Sequence, residues 1–232
     1  MINSGYEPET TRILDKILKE GDHVIIAGAH QGYFVSYCSN IIGPDGKVYG
    51  FEPEPKNFAI LSEQVKALGN VEIFNCALAD RKANAKLFFN SDNDGGHALW
   101  DVAQNPNNTK SKENTQIIKT EVKTIDSLEL DRLDFLLLDA EGSEHSIIRG
   151  GINTIVDCEV SYMVCEINNF AMNRSMTSQM SLRSYLSMYG FAGYVMNEAE
   201  VVDVQNNEVK AYIPGTEQEV VFNMLFSRRG KV

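Results

Sequence analysis

Apolar positions along the chain recur with two spacings, and the spacing changes at glycines. Within residues 9–20 they fall at Ile13, Leu14, Ile17 and Leu18, the pattern of a helix with one buried face, and Gly21 stops it. His23–Ala27 is a short apolar run ending at a glycine and predicts a strand, whereas Tyr33–Ile42 is again helical and closes on Gly43-Pro44-Asp45-Gly46. The unit recurs as a strand at Lys47–Phe51, a helix over 56–68 ended by Gly69-Asn70, and a strand over 71–77. These alternations predict a βαβαβ half with parallel strands and right-handed crossovers.

Residues 133–138 are apolar enough for a strand buried on both faces, and a helix at Glu144–Arg149 follows a glycine-bearing loop. Tyr162–Ile167 reads as a further strand. Residues 178–189, with Met180, Leu182, Tyr185, Leu186 and Tyr189 apolar, read as a helix closed by Gly190. Phe191–Met196 and residues 220–227 complete the set, separated by a polar stretch containing Pro214-Gly215, and are expected to pair as an antiparallel hairpin at one sheet edge. The expected fold is α/β, a seven-stranded, mostly parallel sheet with an antiparallel last strand. Residues 88–115 break the periodicity, with only His97, Ala98, Leu99 and Trp100 interrupting polar sequence. So long a polar insert is usually functional or mobile, and 91–114 is expected to form a lid hinged at Gly95-Gly96. Residues 116–124 read as a strand that pairs with 86–89.

At 232 residues and 43% hydrophobic content the chain can bury one large core, so a single domain over 1–232, opening with a helix within 1–21, is expected. Twenty-one basic against 32 acidic side chains leave a net charge of −11, which disfavours nucleic acid and anionic membranes as partners. Arg228, Arg229 and Lys231 form only a short basic end. Glu7, Glu9 and Arg12 stand where a signal peptide needs an apolar stretch, and no apolar run approaches roughly 18 residues. A cytoplasmic protein is expected. Cys38, Cys76, Cys158 and Cys165 lie scattered without CxxC spacing, which suits reduced thiols and offers no metal site.

The turn Gly28-Ala29-His30-Gln31-Gly32, between the first strand and its helix, is where chemistry is expected. Gly28 permits positive φ and close approach of a ligand, and Gly32 lets the helix start pack closely on the sheet. A dinucleotide site would require G-x-G-x-x-G; the G-x-x-x-G found here disfavours a nicotinamide cofactor without excluding it. Glu52, in Phe51-Glu52-Pro53-Glu54-Pro55 at the end of the second strand, stands where a carboxylate can accept two hydrogen bonds from a ribose diol, with Pro53 fixing the turn. Its loss is expected to weaken the cofactor and leave the empty fold intact. Asp139, in Asp139-Ala140-Glu141-Gly142, should share the crevice at the topological switch point with Gly28. Glu144, at a helix start, reads as a partner of the helix dipole.

Together with Tyr6-Glu7-Pro8-Glu9-Thr10, Asn75-Cys76-Ala77-Leu78-Ala79-Asp80, Thr124-Ile125-Asp126-Ser127-Leu128 and Cys165-Glu166, these motifs resemble the FkbM-type methyltransferases over residues 6–166. The resemblance implies a Rossmann-like class I methyltransferase fold, S-adenosylmethionine as cofactor, and transfer to a hydroxyl of a sugar or small natural product. It further implies that Gly28, Ala29, His30 and Gly32 cradle the methionine end. Glu52 and Pro53 would then hold the ribose, Asn75, Cys76 and Ala77 border the adenine, and Asp139 lie near the sulfonium. The family writes the first loop as Asp-Val-Gly-Ala-Asn; this chain has Ile26-Ala27-Gly28-Ala29-His30, without the acid expected near the cofactor's ammonium. A hydroxyl acceptor must also lose its proton. Asp139 is the expected base and His30 the other catalytic position, with Glu141, His97 and His145 as further bases. A nicotinamide-dependent oxidoreductase and a non-catalytic cofactor binder are the alternative readings.

Overall fold

The computed structural model describes residues 6–196, 201–203, 211–212 and 219–228. In chain order the helices are α1 (Pro8–Ile17), α2 (Tyr33–Ile42), α3 (Pro55–Val65), α4 (Thr109–Glu113), α5 (Glu144–Arg149), α6 (Ile152–Asp157), α7 (Asn169–Arg174) and α8 (Gln179–Ser187). The main sheet contains β1 (His23–Ala27), β2 (Lys47–Phe51) and β3 (Val71–Phe74). The short β4 (Ala77–Leu78) joins β5 (Ala83–Phe88) and β6 (Ile117–Lys123) in a second sheet. The main sheet continues with β7 (Phe135–Leu138), β8 (Tyr162–Ile167), β9 (Phe191–Met196) and β10 (Val201–Asp203). A separate pair, β11 (Ala211–Tyr212) with β12 (Glu219–Val220), precedes β13 (Phe222–Arg228).

The main sheet runs β10-β9-β13-β8-β7-β1-β2-β3. Seven of these strands form the expected architecture, with β13 antiparallel to both β8 and β9, and short β10 adds an eighth at the edge. The pairing of β9 with β13 is as expected, but β13 lies inside the sheet. Met224, Leu225 and Phe226 are all buried, so successive residues find apolar partners on both faces, which only an interior strand provides. Pro214-Gly215, Arg229 and Lys231 lie outside the described residues.

Burial on both faces fixes the register of the central strands. In β1, Ile25 and Ala27 face a core shared with Ile147 and Ile148 of α5, Ile155 of α6 and Leu182 and Leu186 of α8. Val24 and Ile26 face the opposite core, packed by Ile13 and Leu14 of α1, Val35 and Cys38 of α2 and Leu61 of α3. A one-residue slip would exchange the two sets. The register places Ala27 level with Phe51 and Leu138, Phe51 level with Phe74, and Leu138 level with Cys165. The next residues therefore form one row along the carboxyl edge: Asn75, Glu52, Gly28, Asp139 and Glu166.

One boundary differs in a way that matters for the site. The strand expected over 71–77 stops at Phe74, and Ala77–Leu78 pairs instead with Val122–Lys123 of the second sheet. At the break, Asn75 Nδ2 donates to the Glu52 carbonyl at 2.8 Å, a bond that turns the chain off the sheet. The strand expected to pair with 86–89 does so as β6 with β5, Lys86 opposite Lys119.

Candidate active site

A cavity of about 280 Å³ opens above this row. Strand ends supply Gly28, Glu52 and Asp139, and the polar insert supplies Asn93, Asp94, Gly95, His97, Ala98 and Leu99 as the facing wall. Open α/β sheets bind ligands at this crevice, where the chain direction of the crossovers reverses.

Gly28 has φ 83°, and a Cβ there would lie 1.7 Å from the Asp139 carbonyl oxygen. The glycine is thus demanded by protein backbone, not by a ligand alone as the sequence suggested. Gly32 is corrected similarly: it caps α2 at φ 98°, and the atom a Cβ would meet is Leu61 Cδ1 of α3 at 2.7 Å, not the sheet. Ala29 is buried in the α1–α3 core, and its N–H donates to the Phe51 carbonyl at 2.9 Å. Neither Ala29 nor Gly32 lines the cavity; both shape the loop. His30 does line it, in a left-handed conformation (φ 47°) uncommon for a residue with a Cβ.

Glu52 lines the cavity with 5% of its surface exposed. Its Oε2 accepts from the His30 N–H and its Oε1 from the Glu54 N–H, both at 2.8 Å. Each oxygen keeps a further lone pair for a ligand hydroxyl. The carboxylate therefore ties the first two loops together as well as facing the cavity, which gives it a part in the empty fold that the sequence did not suggest. Burial pushes its pKa up to about 7, against the pull of those two N–H donors. Pro53, Cys76 and Ala77 line the cavity, while Asn75 braces Glu52 from behind. Phe51 and Phe74 stack at 4.7 Å beneath.

On the other side stand four acids. Asp139 is raised to about 6 by burial, with Glu7 adding and a hydrogen bond with Glu166 opposing. Burial, then Asp139 and Glu144, push Glu141 up to about 8. Glu144, fully buried, is raised to about 7 by burial although its Oε1 accepts from the Ala140 and Gly142 N–H groups at 2.9 and 3.2 Å. It is the brace of its own loop more than a dipole partner. Glu166 is held well above the carboxylate range by burial and by Asp139, Glu141 and Glu144. Glu141 takes φ 48°; its carbonyl accepts from Trp100 Nε1 at 2.9 Å and its Oε2 from Asn168 Nδ2 at 3.0 Å. Among the described residues no group of three or more His, Cys, Asp or Glu is placed to hold a metal ion.

The histidines separate. His30 Nε2 and His97 Nε2 approach the two oxygens of Asp94 at 3.5 and 3.7 Å, and His97 Nδ1 accepts from the Asn90 N–H at 3.0 Å. Burial lowers the pKa of His97. His145 is not among the residues around the cavity: its Nδ1 pairs with Thr177 Oγ1 at 2.6 Å and its ring packs on Tyr185. Ile26, where the family's acid would stand, is 1% exposed in the α1–α3 core. Residues given no role from the sequence also belong here: Tyr6 and Asp94 in the walls, and Glu166 behind Asp139. Tyr6 and Glu166 could have been found by the motifs that carry the resemblance, Tyr6-Glu7-Pro8-Glu9-Thr10 and Cys165-Glu166, whereas Asp94, in the polar insert, carried no such signal.

The methyltransferase FkbM domain matches residues 27–193. The chain is 27% identical over 131 residues to the 2-O-methyltransferase NoeI of Sinorhizobium fredii, covering 51% of this chain and 53% of that protein. It is 25% identical over 162 residues to a fibrillarin-like rRNA/tRNA 2'-O-methyltransferase of Aeropyrum pernix, covering 59% and 68% respectively. The chain thus spans about half the length of the first of these relatives. Its fold is shared with the FkbM methyltransferase structure from Methylobacillus flagellatus (TM-score 0.57, 13% identity, 90% of this chain and 44% of that one). It is shared also with a Streptococcus mutans methyltransferase solved with S-adenosylhomocysteine (TM-score 0.52, 10% identity, 98% and 99%). The match over residues 27–193, most of the chain, favours methyl transfer over the nicotinamide reading and makes this chain a member of the FkbM methyltransferase family.

Proposed function

We propose that the protein methylates a hydroxyl oxygen of a sugar or small natural product, with Asp139 as the base. The observation that carries this is the position of Asp139, in the same row as Gly28 and Glu52 and lining the same cavity. Displacement at a sulfonium methyl gains most from alignment, and the acceptor additionally needs a proton acceptor within reach. A carboxyl raised to about 6 is ionised at neutral pH yet more basic than a free aspartate. In this reading Gly28 and His30 flank the methionine end, Glu52 takes the ribose diol, and Cys76 and Ala77 border the adenine. His30, at the mouth, is the second catalytic position. The insert acts as a lid on the acceptor side.

A small acceptor is favoured over nucleic acid by the net charge of −11. The name of the Sinorhizobium relative, a 2-O-methyltransferase, agrees with oxygen as the target, and that of the Aeropyrum relative names rRNA and tRNA. Four free thiols fit the reducing cytoplasm, and no described helix is long and apolar enough to cross a membrane. The test is transfer of labelled methyl from S-adenosylmethionine to a panel of methyl glycosides, with bulk tRNA in parallel. Label on a glycoside oxygen is expected; label on tRNA alone would overturn the acceptor class.

A further inference from the structure

Among the described residues the cavity is lined by four acids, Glu52, Asp94, Asp139 and Glu141, and by neither Lys nor Arg. Asp139 is faced by Glu7 and Tyr6 from the N-terminal segment, Glu52 from the end of β2, Glu166 from β8, and Glu141 and Glu144 from its own loop. The basic groups that act on the cavity walls are His30 and His97, which approach Asp94, Lys56, which acts on His97, and Lys123, which acts on Cys76. Acids enclosed together without a counter-ion repel one another and keep protons they would lose in water. A cation entering the cavity would take the place of those protons.

We propose that this field distinguishes the cofactor from its spent form: Asp139, flanked by Glu141 and backed by Glu166, favours the sulfonium of S-adenosylmethionine and gives nothing to the neutral thioether of S-adenosylhomocysteine. The two molecules share adenosine and amino-acid ends and differ by one methyl and one positive charge, so every other contact cancels in the ratio of their affinities. In the transfer step the acceptor oxygen forms a bond to the methyl carbon, the C–S bond breaks with its electron pair left on sulfur, and the acceptor proton passes to Asp139. Cation and carboxylate are thus neutralised in one event, and the attraction that held the cofactor ends with the reaction. The spent cofactor is thereby held less tightly than the fresh one. The inference rests on the cofactor occupying this cavity and not on which acceptor is methylated.

Calorimetry on the full chain, in the presence of EDTA at pH 7.5, tests it with three probes: S-adenosylmethionine, S-adenosylhomocysteine, and sinefungin, whose amine restores a positive charge near the sulfonium position. S-adenosylmethionine and sinefungin should bind at least about tenfold more tightly than S-adenosylhomocysteine. Asp139→Asn should shrink that ratio severalfold with little change for S-adenosylhomocysteine, and Glu141→Gln should do so less strongly, which keeps the test open if one variant folds poorly. Repeating the titrations in buffers of different ionisation enthalpy should reveal protons released by S-adenosylmethionine and not by S-adenosylhomocysteine. Equal or tighter binding of S-adenosylhomocysteine, or a ratio unmoved in both variants, overturns the proposal. Failure of all three probes to bind would overturn both it and the placement of the cofactor.

Discussion

The two walls of the cavity are held by different forces. Gly28, Glu52 and Asp139 continue strands whose side chains are buried on both faces, so moving any of them means slipping a register against two cores. The facing wall, residues 91–114, is held mostly by polar side chains. Asp92 accepts from the Lys110 and Ser111 N–H groups at 3.0 and 2.9 Å, and Trp100 reaches Glu141. Only Ala98, bridged to Phe88, and Val102 are buried apolar anchors. One wall can shift only by disrupting the sheet, whereas the other is held mostly by hydrogen bonds that water could replace, which makes it the wall expected to move. A rigid wall suits the cofactor, whose atoms must be aligned, and a releasable wall suits exchange of acceptor and product.

The sharpest probe of the rigid wall is Asp139→Asn, which keeps the shape and removes the proposed base. At saturating cofactor, turnover should fall by about 10² to 10⁴. A smaller loss than that following His30→Asn would move the base to His30. Gly28→Ala comes next. Its methyl would meet the Asp139 carbonyl in a backbone conformation that disfavours any Cβ, so a loss of about 2 to 4 kcal/mol in denaturant unfolding is expected. A well-folded alanine variant with unchanged cofactor affinity would show that the strand ends have slack.

Glu52→Ala should act on both binding and fold. Cofactor affinity should drop by about ten- to hundredfold. Because the His30 and Glu54 N–H groups lose their acceptor, the empty protein should also lose about 1 to 3 kcal/mol of stability. The acids of the rigid wall further predict how stability depends on pH. Glu52, Glu144 and Glu141, raised from 4.5 to about 7, 7 and 8, and Asp139, raised from 3.8 to about 6, hold protons in the folded state that the unfolded chain has released. Their contribution is fully present below about pH 4 and is lost progressively as pH rises from there through the folded values of about 6 to 8. The melting temperature of the empty protein should decline across that window, and S-adenosylmethionine should stabilise it most at the upper end. A flat profile would mean that these acids titrate normally.

The releasable wall should give the smallest effect. Trp100→Phe removes one N–H to Glu141 and should cost about 1 kcal/mol. Limited proteolysis should cut the empty protein near Asn93 to Gly95, faster in this variant, and spare it when S-adenosylhomocysteine and acceptor are bound. Cleavage indifferent to ligands would make the insert an ordinary surface segment.

Local chemistry determined much of this protein. The limits of β1, α2, β2, α5, β8 and β9 follow from apolar period and from the residues that punctuate it, because those signals lie within the element itself. The same signals placed Glu52 and Asp139 at strand ends, and the motifs around them carried the family. Tertiary structure decided what depends on partners distant in sequence. β13 entered the sheet between β8 and β9, and β4 left the run of β3 for the second sheet, because pairing energy is settled by neighbours that no local window contains. The folding of α1 against the sheet is fastened by Asn223 donating to Glu7 at 3.1 Å, a contact between the two ends of the chain. Gly28 is required by the Asp139 carbonyl, and Asp139 acquires its basicity from burial and from Glu7, against the hydrogen bond with Glu166. Residue type and order determine where an acid can stand, but its proton affinity is a sum over charges and solvent that only the folded chain brings together.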